Sequence, residues 1–151
     1  MQSLLGWRTV ETTPLLRGLH MLDERTLELL NGKNFGAVST IMASGHPQTQ
    51  MMWVDHDGEN IIFNTEIHRA KFKNLERNPL VTVMVMDSGN PWRYVEVRGH
   101  VAETVLGQEA RDHIDSLAMK YLGKDEYPNP IQSERVIVKI SPDRENNFPP
   151  A

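Results

Sequence analysis

The chain has 151 residues, of which 39% are hydrophobic and 24% are charged, and its formal net charge is -4. A chain of this size and composition is expected to fold as one globular domain. The negative balance argues against general nucleic-acid binding, because displacing counterions from phosphates requires an excess of Lys and Arg. The absence of cysteine excludes disulfides, thiolate metal sites and a cysteine nucleophile.

The first part of the chain carries little functional information. It shows no signal-peptide pattern and no apolar run long enough to cross a bilayer, so we expect a cytoplasmic protein without a membrane partner. Residues 1–22 are weakly patterned and are predicted to form an N-terminal arm. Asp23 then offers an N-cap and Asn31-Gly32 a stop, which predicts a short helix between them.

From Phe35 onward the pattern changes to short strands separated by turn signals such as Asp57-Gly58. Strands are predicted over 35–43, 48–55, 61–65, 80–86, 94–105 and 135–140, and helices over 68–77 and 108–122. A mainly β fold with few helices favours a closed antiparallel sheet, because closure removes exposed strand edges.

Two further expectations concern the later strands. Strand 80–86 is apolar on both sides, so both of its faces are expected to be covered. The domain is predicted to span 23–141, and the Pro-rich tail, 142–151, to be exposed or disordered.

A basic segment, HRAKFKNL at 68–75, stands out in an otherwise acidic protein. The free amides and dipole at the start of a helix favour an anion, and Arg69 and Lys71 would add a guanidinium fork and a mobile charge. The same pattern is also typical of a solvated basic helix. Charge alone leaves both interpretations open.

Aromatic residues form a second signal. Trp92 and Tyr94 share one face near a turn, and Trp53 follows Met51 at the end of a strand. Aromatics in such positions can stack on a planar ligand, but they are equally typical of a cross-strand cluster or a dimer contact.

The sequence contains no motif typical of a metal site, a hydrolase or a nucleotide-binding loop. The six histidines show no ligand spacing, and Asp55-His56-Asp57-Gly58 is interpreted as a turn, so we predict no metal site. Hydrolase, P-loop and dinucleotide fingerprints do not occur either. The catalytic residues therefore remain unknown.

The order and spacing of several blocks are more specific than any one of them. The blocks are NFGAVST (34–40), GHPQ (45–48), WVDHDG (53–58), FNT (63–65), RAKFKNLERNP (69–79), YVEVRG (94–99) and HIDSLAMKYLG (113–123). Together they resemble the F420-dependent branch of the pyridoxamine-phosphate-oxidase-like family over roughly residues 21–141. The chain has no counterpart of the Arg-rich C-terminal substrate motif of true pyridoxamine-phosphate oxidases.

The resemblance implies a homodimeric six-stranded split β-barrel with two cofactor sites at the dimer interface. Carried over to this sequence, the cofactor-binding residues fall into four groups. Arg69 and Lys71 would hold the phosphate with Thr65 and Gln48 nearby, Asn74 would brace the helix, Met51 and Trp53 would line the ring pocket, and Trp92 and Tyr94 would come from the second chain.

The implied activity is hydride transfer from reduced coenzyme F420 to a conjugated or aromatic small molecule. Since the cofactor carries the difficult step, no acid-base dyad need appear in the sequence. An FMN-dependent oxidoreductase on the same fold and a non-catalytic F420-binding protein are the alternatives.

Overall fold

The computed structural model describes residues 21–150, and within them it contains three helices and seven strands. The helices are α1 (Glu24–Asn31), α2 (Ala70–Arg77) and α3 (Gln108–Leu122). The strands are β1 (Phe35–Ile41), β2 (Pro47–Trp53), β3 (Asp55–His56), β4 (Ile61–Glu66), β5 (Leu80–Asp87), β6 (Asn90–Val105) and β7 (Arg135–Phe148). The mainly β class predicted from the sequence is confirmed.

The strands form one antiparallel sheet in the order β2-β1-β5-β6-β7-β4-β3. Its two end strands, β2 and β3, are separated in the chain by Val54 alone, so the sheet curls until its ends adjoin. Val54 is fully buried, and Gly36 makes room for it, since a Cβ on Gly36 would lie 2.5 Å from the Val54 side chain. The curled sheet thereby encloses the core.

The count of seven strands differs from the six expected. The difference arises at Val54, which interrupts the segment predicted as a single strand over 48–55. The amide of Val54 donates to the hydroxyl of Tyr121 on α3, 3.1 Å away, rather than to a neighbouring strand. A side chain from a distant helix therefore divides this strand.

Strand β5 has only one covered face in the single chain. Val81, Val83 and Val85 point into the core, as predicted. Met84 and Met86 on the opposite face are exposed, so the expectation that both faces are covered is wrong for the isolated chain. An apolar strip is left on the outer surface of the sheet.

The tail predicted from residue 142 is instead part of β7, which continues to Phe148 and pairs with β6. The pairing register shifts where Pro142 lies opposite Gly99, because proline has no amide hydrogen to donate. A Cβ on Gly99 would lie 2.3 Å from the carbonyl oxygen of Ser141, so glycine is required at this close approach. The proline that suggested an end of structure marks a bulge within a strand.

The helices agree well with the sequence prediction. The bounds of α3 match the predicted 108–122, and Gly123 ends it in the left-handed conformation, at φ 68°. Helix α2 begins two residues later than predicted, with Arg69 as its N-cap. No helix within residues 21–150 is long and apolar enough to cross a membrane.

The predicted arm over 1–22 lies outside the described residues except for Met21 and Leu22. Leu22 is buried, and its amide donates to the carbonyl oxygen of Gly58 at 3.0 Å. The end of the predicted arm is therefore packed on the domain.

Candidate functional site

A cleft of about 290 Å³ opens between the end of β2, strand β4, the start of α2, helix α3 and the loop before β7. One end of the cleft is basic and is formed by Arg69, Lys71 and Arg135. The other end is apolar and aromatic, with Phe35, Met51, Trp53 and Tyr127 in its wall. Asn64 and Thr65 of β4 lie in the lining as well.

Lys71 is the distinctive residue of the basic end. It lies in the first turn of α2, where its side chain is 9% exposed, and it makes no hydrogen bond or ion pair within residues 21–150. Burial, and then the charges of Arg69 and Arg135, lower the pKa of Lys71 below the ordinary lysine value. Burying a cation that is not paired is energetically unfavourable, so an anion bound in the cleft would be stabilised by Lys71.

Glu66 is the acidic group beside the other two cations. Its side chain is 2% exposed, and one carboxylate oxygen lies 3.7 Å from both Arg69 and Arg135. The other oxygen accepts backbone hydrogen bonds from Gln132 at 2.6 Å and Ser133 at 2.7 Å. Burial raises the pKa of Glu66, but these two amides and the charge of Arg135 outweigh it and lower the pKa below the ordinary value.

Three cations therefore face a single ionised carboxylate, so the basic end has an excess of positive charge. Helix α2 points its N-terminus toward the same place, and no side chain caps the amides of its first turn. Free helix amides and the helix dipole favour negative charge. These features favour an anion at the basic end, and Lys71, which is buried, does not fit the interpretation of this segment as a solvated helix.

The aromatic end is held by Tyr121 of α3. Trp53 stacks on its ring with centroids 5.3 Å apart and planes 5° from parallel, and Phe35 stacks at 5.4 Å. The Tyr121 hydroxyl donates to the carbonyl oxygen of Asn34 at 2.6 Å. Tyr127 meets the Trp53 ring edge-on, with centroids 6.0 Å apart. These contacts form an aromatic cluster in the wall of the cleft.

Five of the nine predicted binding residues line this cleft: Met51, Trp53, Thr65, Arg69 and Lys71. Thr65 and Lys71 are buried, whereas Met51 is 61% exposed. The fold therefore brings both predicted cations and both predicted ring contacts into one cleft. What each residue binds stays a prediction.

Two other predicted residues stand behind the cleft wall. The amide of Asn74 donates to Gln48 and to Thr40, both at 3.0 Å, and its oxygen accepts from Arg77 at 2.8 Å. Asn74 therefore ties α2 to β1 and β2, which is the bracing contact predicted for it. The Gln48 oxygen is engaged by this contact.

The last two predicted residues lie on a different surface. Trp92 of β6 is 74% exposed, and Tyr94 stacks on Phe148 with centroids 5.2 Å apart. Neither residue lines the cleft of its own chain. Their assignment to a partner's site stays a prediction.

The sequence prediction missed Arg135, Asn64 and Tyr127. Arg135 lies far from the basic segment in the chain, but the pairing of β4 with β7 sets it opposite Glu66. Its guanidinium lies 5.2 Å from the ring centroid of Tyr127, which keeps it in the cleft. A charged residue at the start of an apolar strand was the one available signal.

The family model described as pyridoxamine 5'-phosphate oxidase matches residues 22–147. A solved structure named as an F420 reductase is 33% identical with a TM-score of 0.71, and the match covers 79% of this chain and 94% of that one. No curated protein sequence matches the chain.

Two further structures share the fold at lower identity, which carries no functional argument. A conserved hypothetical protein from Mycobacterium tuberculosis is 24% identical with a TM-score of 0.67, over 85% of this chain and 86% of that one. General Stress Protein 26 from Bacillus anthracis is 22% identical with a TM-score of 0.60, over 85% of this chain and 94% of that one. The model match over most of the chain and the relative at 33% identity show that the chain belongs to the pyridoxamine 5'-phosphate oxidase family, as its sequence blocks predicted.

Proposed function

We propose that the protein is an F420-dependent reductase that transfers a hydride from the reduced deazaflavin to a conjugated or aromatic small molecule. The observation that carries the proposal is Lys71, a buried lysine at the basic end of an aromatic cleft that has no partner within residues 21–150. The similarity to a structure named as an F420 reductase supports this cofactor over others.

The residues of the cleft fit a ligand that joins an anionic group to a planar ring. Arg69, Lys71 and Arg135 would hold the phosphate, each donating charge-assisted hydrogen bonds. Trp53 and Met51 would face the ring, since a flat apolar surface is what their end of the cleft presents.

The bound deazaflavin supplies the hydride, and the chain supplies position and environment. The stack of Trp53 on Tyr121 would hold the apolar wall in place, and that wall would keep water from one side of the bound ring. No side chain is assigned as the proton donor. The substrate would enter from the open side of the cleft.

We also propose that the protein is a homodimer whose second chain completes the cofactor site with Trp92 and Tyr94. The outer face of the sheet exposes Leu80, Met84 and Met86, and Met86 lies opposite Tyr94 in the pairing of β5 with β6. Exposed apolar patches of this kind commonly mark protein interfaces. A dimer would cover the second face of β5.

Titration of the purified protein with oxidised F420 and with FMN tests the cofactor, and oxidation of reduced F420 with a panel of enones, quinones and tetrapyrroles tests the reaction. The proposal expects micromolar or tighter F420 binding and turnover with at least one acceptor. Preferential FMN binding would instead indicate an FMN-dependent oxidoreductase. Tight F420 binding without any turnover would indicate a non-catalytic binding protein.

Sedimentation of the purified protein tests the dimer. Replacement of Met84 by glutamate places a charge in the exposed apolar strip and is expected to dissociate the dimer and weaken cofactor binding together. The proposed site between two chains is refuted if the wild-type protein sediments as a monomer and still binds F420 with micromolar or tighter affinity.

A further inference from the structure

A chain of hydrogen bonds leads from Arg135 in the cleft to Asp55 at the other side of α3. The Arg135 Nε donates to Asn64 Oδ1 at 2.8 Å, and the Asn64 amide nitrogen lies 2.9 Å from the carbonyl oxygen of Ala110 and 3.1 Å from His113 Nδ1. His113 Nε2 lies 3.1 Å from Asp55 Oδ2. Four side chains from β3, β4, α3 and β7 are linked.

The chemistry of the two ends decides the direction of every bond. Arginine only donates and a backbone carbonyl only accepts, so Asn64 must turn its oxygen to Arg135 and its nitrogen to Ala110. The nitrogen then donates to His113 Nδ1, which must be unprotonated. His113 carries its proton on Nε2 and donates it to Asp55.

Asp55 is suited to this role. Burial raises the pKa of Asp55, but hydrogen bonds from His113 and from the His56 amide outweigh it and keep the pKa below the ordinary value. An ionised Asp55 accepts only, so it selects the tautomer of His113 that Asn64 requires.

We infer that Asp55, His113 and Asn64 are positioning residues that hold the Arg135 guanidinium toward the bound anion, and that protonation of His113 releases it. The inference rests on the proposed anion site. A second proton on His113 would occupy Nδ1 and oppose the Asn64 amide hydrogen. If the side-chain amide of Asn64 flips to relieve this repulsion, its nitrogen faces the Arg135 Nε hydrogen. Arg135 then loses its hydrogen-bond acceptor.

Electrostatics alone predicts the opposite effect of pH. Protonation of His113 adds positive charge, and so does protonation of His68, which lies on the basic segment near Glu66. The other charges around the hydrogen-bonded chain are Lys120 near Asp55 and, around Arg135, those of Glu66, Arg69 and Lys71. A simple charge effect would therefore strengthen anion binding in acid, whereas loss of Arg135 weakens it.

The test measures sulfate binding by NMR titration between about pH 5 and pH 7.5, a range in which histidine titrates and sulfate remains a dianion. Wild type is expected to lose about tenfold in affinity on acidification, the order expected when one hydrogen bond to a charged group is loosened. H113N can place an amide oxygen near the Nδ1 position, so it is expected to bind as wild type at pH 7.5 without that loss. H113L should bind about tenfold more weakly at both pH values.

His100 provides the matched control, because it pairs with Asp143 at 2.9 Å outside the cleft. H100N should retain the wild-type pH profile. Equal profiles for wild type and H113N, or tighter binding of sulfate by wild type in acid than by H113N, would overturn the inference.

A second measurement needs no ligand and keeps the inference separate from the proposed function. The Nε resonance of Arg135 in the free protein should shift with the titration of His113 in wild type and stay constant in H113N. If sulfate and F420 both fail to bind, the proposed anion site is wrong, and this resonance still decides the hydrogen-bonded chain. A resonance that ignores His113 refutes it even if F420 binds.

Discussion

Replacing Lys71 with methionine distinguishes the effect of this residue on the unfolding free energy from its effect on the affinity for F420. Methionine keeps much of the side-chain length and removes the charge. In the wild-type protein the Lys71 residue is largely buried, lies near two other cations and has no carboxylate partner within the described residues. The variant therefore loses no protein contact of the charge, and its unfolding free energy is expected to stay constant or rise.

The effect on binding should be large and of opposite sign. A hydrogen bond to a charged group contributes about 1.5–3 kcal/mol, which corresponds to about 10- to 150-fold in the F420 dissociation constant. Arg69→Ala is expected to fall in the same range, although the 55% exposure of Arg69 favours the lower end.

Lys73→Met is the matched control, because Lys73 lies on the exposed side of the same helix. Isothermal titration with F420 and urea unfolding of wild type and both variants give the two free energies. The reasoning is refuted if Lys71→Met binds F420 as tightly as Lys73→Met does. It is also refuted if Lys71→Met unfolds much more easily than wild type.

The pH dependence of unfolding adds an independent check on Lys71. Its pKa is lowered in the folded protein, so in the alkaline range the unfolded chain binds more protons than the folded one. The buried charge of Lys71 therefore destabilises the folded protein at neutral pH. This destabilisation decreases as pH increases from the folded pKa toward the ordinary value of about 10.4. The difference in unfolding free energy between Lys71→Met and wild type should shrink over that range.

Three further substitutions are predicted. Asn74→Ala should lower the unfolding free energy by about 1–3 kcal/mol, measured in urea, and weaken F420 binding, because the buried contacts that brace α2 are lost. Glu66→Gln should lower the unfolding free energy by about 1–3 kcal/mol at pH 7. The lowered pKa of Glu66 contributes stability that is fully present above its ordinary pKa and is lost as pH falls through the folded pKa. The unfolding free energy of the variant should therefore decrease less steeply in acid than that of wild type in the same assay. Lys120→Met should destabilise by about 1–3 kcal/mol, unlike Lys71→Met, because Lys120 donates to the carbonyl oxygens of Leu30 and Val54, and F420 titration should show little change.

The local pattern of the sequence predicts most of the helices and strands. The alternation of apolar residues located the strands, and the helical spacing of 108–122 predicted α3 with its observed bounds. These features depend on neighbours two to four residues apart, so they can be recognised without knowledge of the rest of the chain. The basic segment and Trp53 were identifiable for the same reason.

Tertiary structure decided the features that depend on distant residues. Tyr121 divides the strand at Val54, and the pairing with β6 carries β7 past Pro142. No local pattern reports such pairings, because a hydrogen-bond partner more than 40 residues away leaves no mark on the spacing of its neighbours.

The same distinction applies to the candidate site. By itself the sequence determined that a cationic helix start and an aromatic strand end exist, and the spacing of its blocks identified the family. Only the fold decided that Lys71 is buried with no partner in the described part of the chain and that Arg135 lies beside Glu66. Burial and the register between β4 and β7 arise from the whole packed chain, and they bring the cations together as the proposed anion site requires.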